Sequence, residues 1–192
     1  MTKKLIVATS NPGKVKEMEN YLQGLNWEVE LKPQELEIEE TGTTFRENAC
    51  LKASEVAKAL GEWTIADDSG LEIDALNGSP GVYSARYGKT NDDRIKRVLD
   101  ELENKKNRQA QFVCVMAISN PQGEIVLTAE GICKGEILTE LKGEGGFGYD
   151  PIFYIPEKQQ TFAQMSLAQK QQISHRGKAF QALIPQLKEF TY

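Results

Sequence analysis

Trp63-Thr64-Ile65-Ala66-Asp67-Asp68-Ser69-Gly70 is the stretch that decides the fold class. Trp, Thr and Ile suit a pleated, half-buried surface. The segment therefore reads as a short buried strand ending in two adjacent carboxylates and a hydroxyl. Gly70 accepts backbone angles closed to other residues, so the strand is expected to break there and the chain to turn. In open α/β sheets, ligands sit outside the carboxyl ends of the strands. Two neighbouring aspartates at such an end suit a hard cation such as Mg²⁺, which takes one or two protein carboxylates plus substrate phosphate oxygens. Asp-Asp-Ser-Gly is also ordinary turn chemistry, and these residues alone leave the two readings level.

Working towards the N-terminus, Thr44 and Glu47 fit a capping box for a helix from Phe45 to about Leu60, stopped at Gly61. Phe45, Ala49, Ala53, Val56 and Leu60 form its buried stripe. Asn48 and Lys52, four residues apart, share another face, from which Lys52 either points to the same cleft as Asp67 and Asp68 or stays solvated, the commoner fate of a helical lysine. Glu39 and Glu40, just before the helix, read as metal ligands or, on their own, as exposed charge. Trp27 to Leu31 is a second strand. Leu5-Ile6-Val7-Ala8 is an apolar run of the kind covered on both faces. It opens through Thr9-Ser10-Asn11-Pro12-Gly13-Lys14 into a helix from about Val15 to Leu22, with Met18, Tyr21, Leu22 and Leu25 on its stripe. Such a strand–loop–helix turn offers an anion the unpaired N–H groups and positive dipole end of the helix, and Lys14 adds a full charge. It is not a P-loop, because the first glycine and the hydroxyl after the lysine are missing.

Towards the C-terminus, Leu71 to Asp74 alternates like a strand and Asn77 to Gly81 is a turn. Val82 to Tyr87, with two tyrosines and Arg86, suits a cleft or an interface. Thr90 or Asn91 caps a helix to about Glu103. Ala110 to Ser119 and Glu124 to Glu130 form a hairpin across Asn120 to Gly123, and Gly131 to Ile137 continues the sheet. Antiparallel strands after an α/β start make that sheet mixed. Gly143 to Gly148 matches G-x-G-x-x-G, but a strand-like Ile152 to Ile155 follows where a dinucleotide fingerprint needs a helix. That loop presents Phe147, Tyr149 and Asp150, whose aromatic rings stack on a base or fill core. Ser166 to Gln169 opens a short helix containing Lys170. A last helix runs to about Phe190, with Pro185 implying a kink or break. His175, the only histidine, makes a donor-rich corner with Arg176.

With 192 residues, 40% hydrophobic and 27% charged, the chain suits one domain or two joined lobes. A net charge of −5 argues against a nucleic-acid binder. Cys50, Cys114 and Cys133 stand apart with neither a zinc nor a disulfide pattern. Phe112 to Ile118 is too short to span a bilayer, and Leu5 to Ala8 too short for a signal-peptide core. A cytoplasmic protein with neither nucleic-acid nor membrane partner is expected.

Six stretches in order resemble the inosine triphosphate pyrophosphatase family: Ala8 to Lys14; Glu39 to Phe45 with Glu47-Asn48-Ala49; Ala66 to Leu71; Gly78 to Arg86; Gly145 to Pro151; and Ser174 to Arg176. The resemblance implies an α/β fold, a long mixed sheet flanked by helices, with two lobes and a central substrate cleft, residues 1–192 forming one such domain. It implies a homodimer and Mg²⁺-dependent hydrolysis of ITP, dITP and XTP to monophosphate and pyrophosphate, keeping them out of DNA and RNA. By position, Thr9, Ser10, Asn11, Pro12, Gly13, Lys14 and Lys52 would hold the triphosphate. Glu40, with or without Glu39, and Asp68 would bind the metal, supported by Asp67. Asp68 would accept the proton of the attacking water, and Ser69 would touch substrate. Phe147, Gly148, Tyr149, Asp150, Lys170, His175 and Arg176 would surround base and sugar. Competing readings are a septum-inhibitor-type pyrophosphatase acting on other nucleotides and a nucleotide-binding regulator without turnover.

Overall fold

A computed structural model describes residues 3–22 and 27–189. Its strands are β1 (Lys3–Val7), β2 (Trp27–Leu31), β3 (Trp63–Ile73), β4 (Gln109–Ser119), β5 (Ile125–Ile137), β6 (Phe153–Ile155) and β7 (Gln160–Thr161). The helices are α1 (Pro12–Leu22), α2 (Phe45–Leu60), α3 (Asn91–Glu101), α4 (Leu167–Ile173) and α5 (His175–Glu189). The seven strands form one sheet in the order β2-β1-β3-β4-β5-β6-β7. β1 runs parallel to β2 and β3, while β6 is antiparallel to β5 and β7. The expected mixed α/β architecture is therefore present.

β3 corrects the expectation that the chain turns at Gly70. The strand runs on for 11 residues, to Ile73. Strand pairing and burial here outweigh the low intrinsic strand preference of Asp and Gly. The two aspartates still lie beyond a strand end, though not that of their own strand. β1 ends with Val7 opposite Ile65, and the Ala8 N–H donates to the Ile65 carbonyl at 2.8 Å. From Ala66 onward β3 outruns β1. Asp67 and Asp68 thus lie past the carboxyl end of the parallel pair, where β1 has opened into the loop before α1.

The helix ends follow local chemistry. Thr44 with Glu47, Thr90 with Asp93 and Ser166 with Gln169 all close capping boxes. α1 begins at Pro12, earlier than expected, because the Asn11 carboxamide oxygen accepts from the N–H groups of Gly13 (2.9 Å) and Lys14 (3.3 Å). Proline suits the first helical position, where its missing N–H costs nothing. α5 continues past Pro185 to Glu189, so of the kink or break expected there, no break occurs. Leu183 and Leu187, fully buried on either side, carry it through. Leu25 and Phe190 lie outside the described residues.

Two compact units emerge: residues 1–68, 114–131 and 178–192, and residues 69–113 and 132–177. The first is cored by Leu5, Met18, Ile65, Met116 and Leu183, with Tyr21 stacked on Phe180 at 4.4 Å. The second is cored by Ile73, Val98, Ile152 and Phe162, with Phe112 edge-on to Phe153 at 4.6 Å. All three cysteines are free thiols.

Candidate active site

In the first unit, α1 and α2 each aim a lysine at the acids of β3. Asp67 is fully buried, and its Oδ2 accepts from Lys14 Nζ at 3.0 Å. The Cys114 thiol approaches the same oxygen at 4.0 Å. Lys52 Nζ lies 2.6 Å from Glu40 Oε1 and 3.9 Å from Asp68 Oδ1. A carboxylate withdrawn from water is tolerated only with such partners. Three carboxylates against two ammoniums leave the cluster one formal charge negative. Burial pushes the Asp68 carboxyl above its ordinary range; Lys52, Lys14 and the Asn48 amide pull the other way, and Glu40 adds to the rise. Burial alone would lower Lys52, but Asp67, Asp68 and Glu40 outweigh it and hold the ammonium charged.

Glu40 therefore joins the cluster, whereas its neighbour Glu39 is exposed. In the loop before α1, Thr9 Oγ1 accepts from the Asn11 N–H at 3.2 Å, and Ser10 is exposed. The Pro12 side chain lies outside the described residues. The idea that the start of α1 offers unpaired N–H groups is corrected: Asn11 already accepts from Gly13 and Lys14, and its carbonyl takes the Val15 N–H at 3.0 Å. The Lys14 ammonium, paired with Asp67, is the full positive charge at this helix start.

In the second unit, Ser69 directly follows Asp68 in β3. Its Oγ accepts from Nη2 of the buried Arg176 at 2.9 Å. Asp150 and Lys170 form a buried pair at 2.7 Å, and Asp150 Oδ2 also accepts the Phe147 N–H at 2.8 Å. Phe147 thus lies beneath cations, 4.7 Å from Lys170 Nζ and 6.0 Å from Arg176 Cζ, measured to its ring centre. Gly146, at φ +72°, presses against the Asp150 carboxylate, where any side chain would collide. Gly148 is also left-handed, at φ +61°. His175 is buried and stacks on Phe112 at 4.7 Å and 12°. Tyr149 turns inward, its hydroxyl donating to the Ser84 carbonyl at 2.8 Å, and burial raises its pKa.

Two participants escaped the sequence reading. Asn48, with no exposed surface, donates from Nδ2 to Asp68 Oδ2 at 3.0 Å. Its position one helical turn before Lys52 was the available signal. Cys114 reaches Asp67 only through strand neighbourhood, which spacing does not encode.

With that geometry in hand, comparison with known proteins is informative. The model of the Ham1 family matches residues 5–186. A Nostoc protein named dITP/XTP pyrophosphatase is 68% identical over 187 residues, covering 97% of this chain and 95% of that protein. A Synechocystis protein of the same name is 59% identical over 182 residues, covering 95% and 94%. The solved structure of the Staphylococcus aureus Ham1 protein matches with a TM-score of 0.88 at 44% identity, covering 98% of this chain and 100% of that one.

Proposed function

The chain belongs to the Ham1 family, and from that premise we propose that it hydrolyses dITP, XTP and ITP to the nucleoside monophosphate and pyrophosphate. The observation that carries this reading is the pair of lysines, Lys14 and Lys52, gathered on Asp67, Asp68 and Glu40. The lysines take the triphosphate, and the Phe147, Arg176, Ser69 and Lys170 cluster takes the base and sugar. Water attacks the α-phosphorus, the bond to the bridging oxygen breaks, and pyrophosphate leaves. Asp68 takes the proton from that water, with the Lys52 ammonium balancing its charge. Lys14 and Lys52 neutralise the charge that spreads over the phosphate oxygens in the transition state.

The donors also suit Mg²⁺. Asp68 and Glu40 are hard oxygen ligands, and among the described residues no group of three acids, cysteines or histidines is placed to hold a metal ion by itself. One or two protein carboxylates, completed by phosphate oxygens and water, is the arrangement this ion favours. When bound, Mg²⁺ supplies positive charge to a cluster that otherwise faces a polyanion with a net negative one. Donors at Arg176 and His175 favour a 6-keto purine, because adenine would set an amino donor against them.

Residues 1–192 work as one domain in this reading, since β3, β4 and β5 each supply residues to both units. We place the enzyme in the cytoplasm as a homodimer, with the exposed Tyr83 in the subunit contact. A pyrophosphate-release assay comparing ITP, dITP, XTP, GTP and ATP tests the reaction. The first three are expected to turn over fastest, and equal rates on ATP would overturn the specificity.

A further inference from the structure

We propose that Asn48 is a positioning residue for this reaction, one carboxamide that fixes the Asp68 carboxylate and ties the Glu40 loop to it. The inference rests on the functional reading above. Asn48 sits in the first turn of α2 with no exposed surface. Its Nδ2 donates to Asp68 Oδ2 at 3.0 Å, and its Oδ1 accepts the Gly42 N–H at 2.8 Å. The carboxamide has only one workable orientation. A backbone N–H can only donate and a carboxylate can only accept, so each end of the side chain meets the single partner type it can serve.

The two bonds join separate segments. Asp68 belongs to β3. Gly42 follows Glu40 by two residues in the loop that leads into α2, and Glu40 holds Lys52 at 2.6 Å. The same loop is gathered by Glu47, whose Oε2 accepts from Thr43 N (2.7 Å), Thr43 Oγ1 (2.9 Å) and Thr44 N (3.1 Å). Glu47 thus secures the loop to the helix, and Asn48 secures it to the acid of the strand. The close approach explains Gly42. A Cβ there would lie 2.6 Å from Asn48 Oδ1 and 2.7 Å from Glu47 Cβ. Lys52 neutralises Asp68 from 3.9 Å, too far to fix the rotation of the carboxylate, whereas the Asn48 amide does so at bonding distance.

The test uses N48L, G42A and D68N and the N48L/D68N double variant. It measures kcat and KM for ITP, Mn²⁺ binding without nucleotide by water-proton relaxation, and thermal unfolding. Loss of an outer hydrogen-bond partner of a metal-binding carboxylate is expected to cost about 10–100-fold in kcat and about tenfold in Mn²⁺ affinity. KM for ITP should move less than about threefold, because Asn48 acts on the reacting acid and not on the nucleotide. In the D68N background N48L should lower the residual rate no further, since its route runs through Asp68. A merely structural role would give equal effects in both backgrounds and would overturn the proposal. If N48L does not fold, G42A carries the test from the loop side. Its kcat and Mn²⁺ affinity should both fall, and unchanged values would refute the assignment. D68N separates the two levels: full activity in that variant defeats the functional reading itself, whereas an inactive D68N beside an unaffected G42A defeats only the role of Asn48.

Discussion

Lys170 and Asp150 show what a single buried pair demands. Their side chains are 5% and 4% exposed, so neither charge has water to fall back on. Removing one partner strands the other, which typically costs about 3–5 kcal/mol. K170M is therefore expected to lose about that much unfolding free energy in urea, and K170M/D150N to recover part of it. Equal stability of K170M and the wild type would show the pair is not holding the Phe147 loop. Asp68 illustrates a different kind of residue. As the proposed proton acceptor it should be indispensable, so D68N is expected to lower kcat by about 10²–10⁴-fold while calorimetry still detects ITP binding. Tyr87 gives a pH signature. Burial and the Glu101 carboxylate, which accepts from its hydroxyl at 2.6 Å, raise its pKa to about 12, with Arg97 opposing. The folded state thus favours the neutral phenol. Its contribution is complete below the unfolded value near pH ~10 and is lost as the pH climbs to about 12. In a tyrosinate absorbance titration, Y87F should lack part of the late-titrating signal; an unaltered curve would contradict the assignment.

At the scale of elements, α2 is the most legible part of the molecule, and for a physical reason. Its cap, its buried stripe and its stop at Gly61 depend on residues within a turn of one another. T44A should cost about 1 kcal/mol, the usual worth of an N-cap, read as a lower urea midpoint with an unchanged slope; no shift would mean the Glu47 contacts with Thr43 suffice. α1 was harder to read. Pro12-Gly13 resembles loop chemistry, and only the Asn11 bonds to Gly13 and Lys14 show that the helix already starts there. β3 was hardest. Whether Gly70 bends or continues a strand depends on neighbours distant in sequence, and such pairing has no local signature. The candidate site residues divide along the same line. Lys14, Asp67, Asp68 and Arg176 were legible in ordered motifs, and Lys170 as part of the short helix opened at Ser166. Asn48 needed the distance to Asp68, and Cys114 needed strand neighbourhood.

At the scale of the whole molecule, charge is the governing quantity. The chain carries a formal −5, and its substrate is a polyanion. Screening reduces the general repulsion, because the Debye length is only about 8 Å at physiological ionic strength. It does not help inside the Lys14, Lys52, Asp67, Asp68 and Glu40 cluster, which excludes most solvent and carries one excess negative charge. Two lysines already committed to carboxylates cannot by themselves draw a triphosphate past those acids. A divalent cation held by Asp68 and Glu40 would reverse the sign of the cluster and would let the lysines turn their charge towards phosphate. Treatment with EDTA is therefore expected to reduce ITP hydrolysis to background and to weaken ITP binding in calorimetry, with Mg²⁺ restoring both. The binding arm is the discriminating one. If a cation served only to activate water, its removal would abolish turnover and leave ITP affinity intact. If it reverses the local charge as argued here, affinity must fall with it, and undiminished ITP binding in EDTA would refute the charge argument even where turnover is lost.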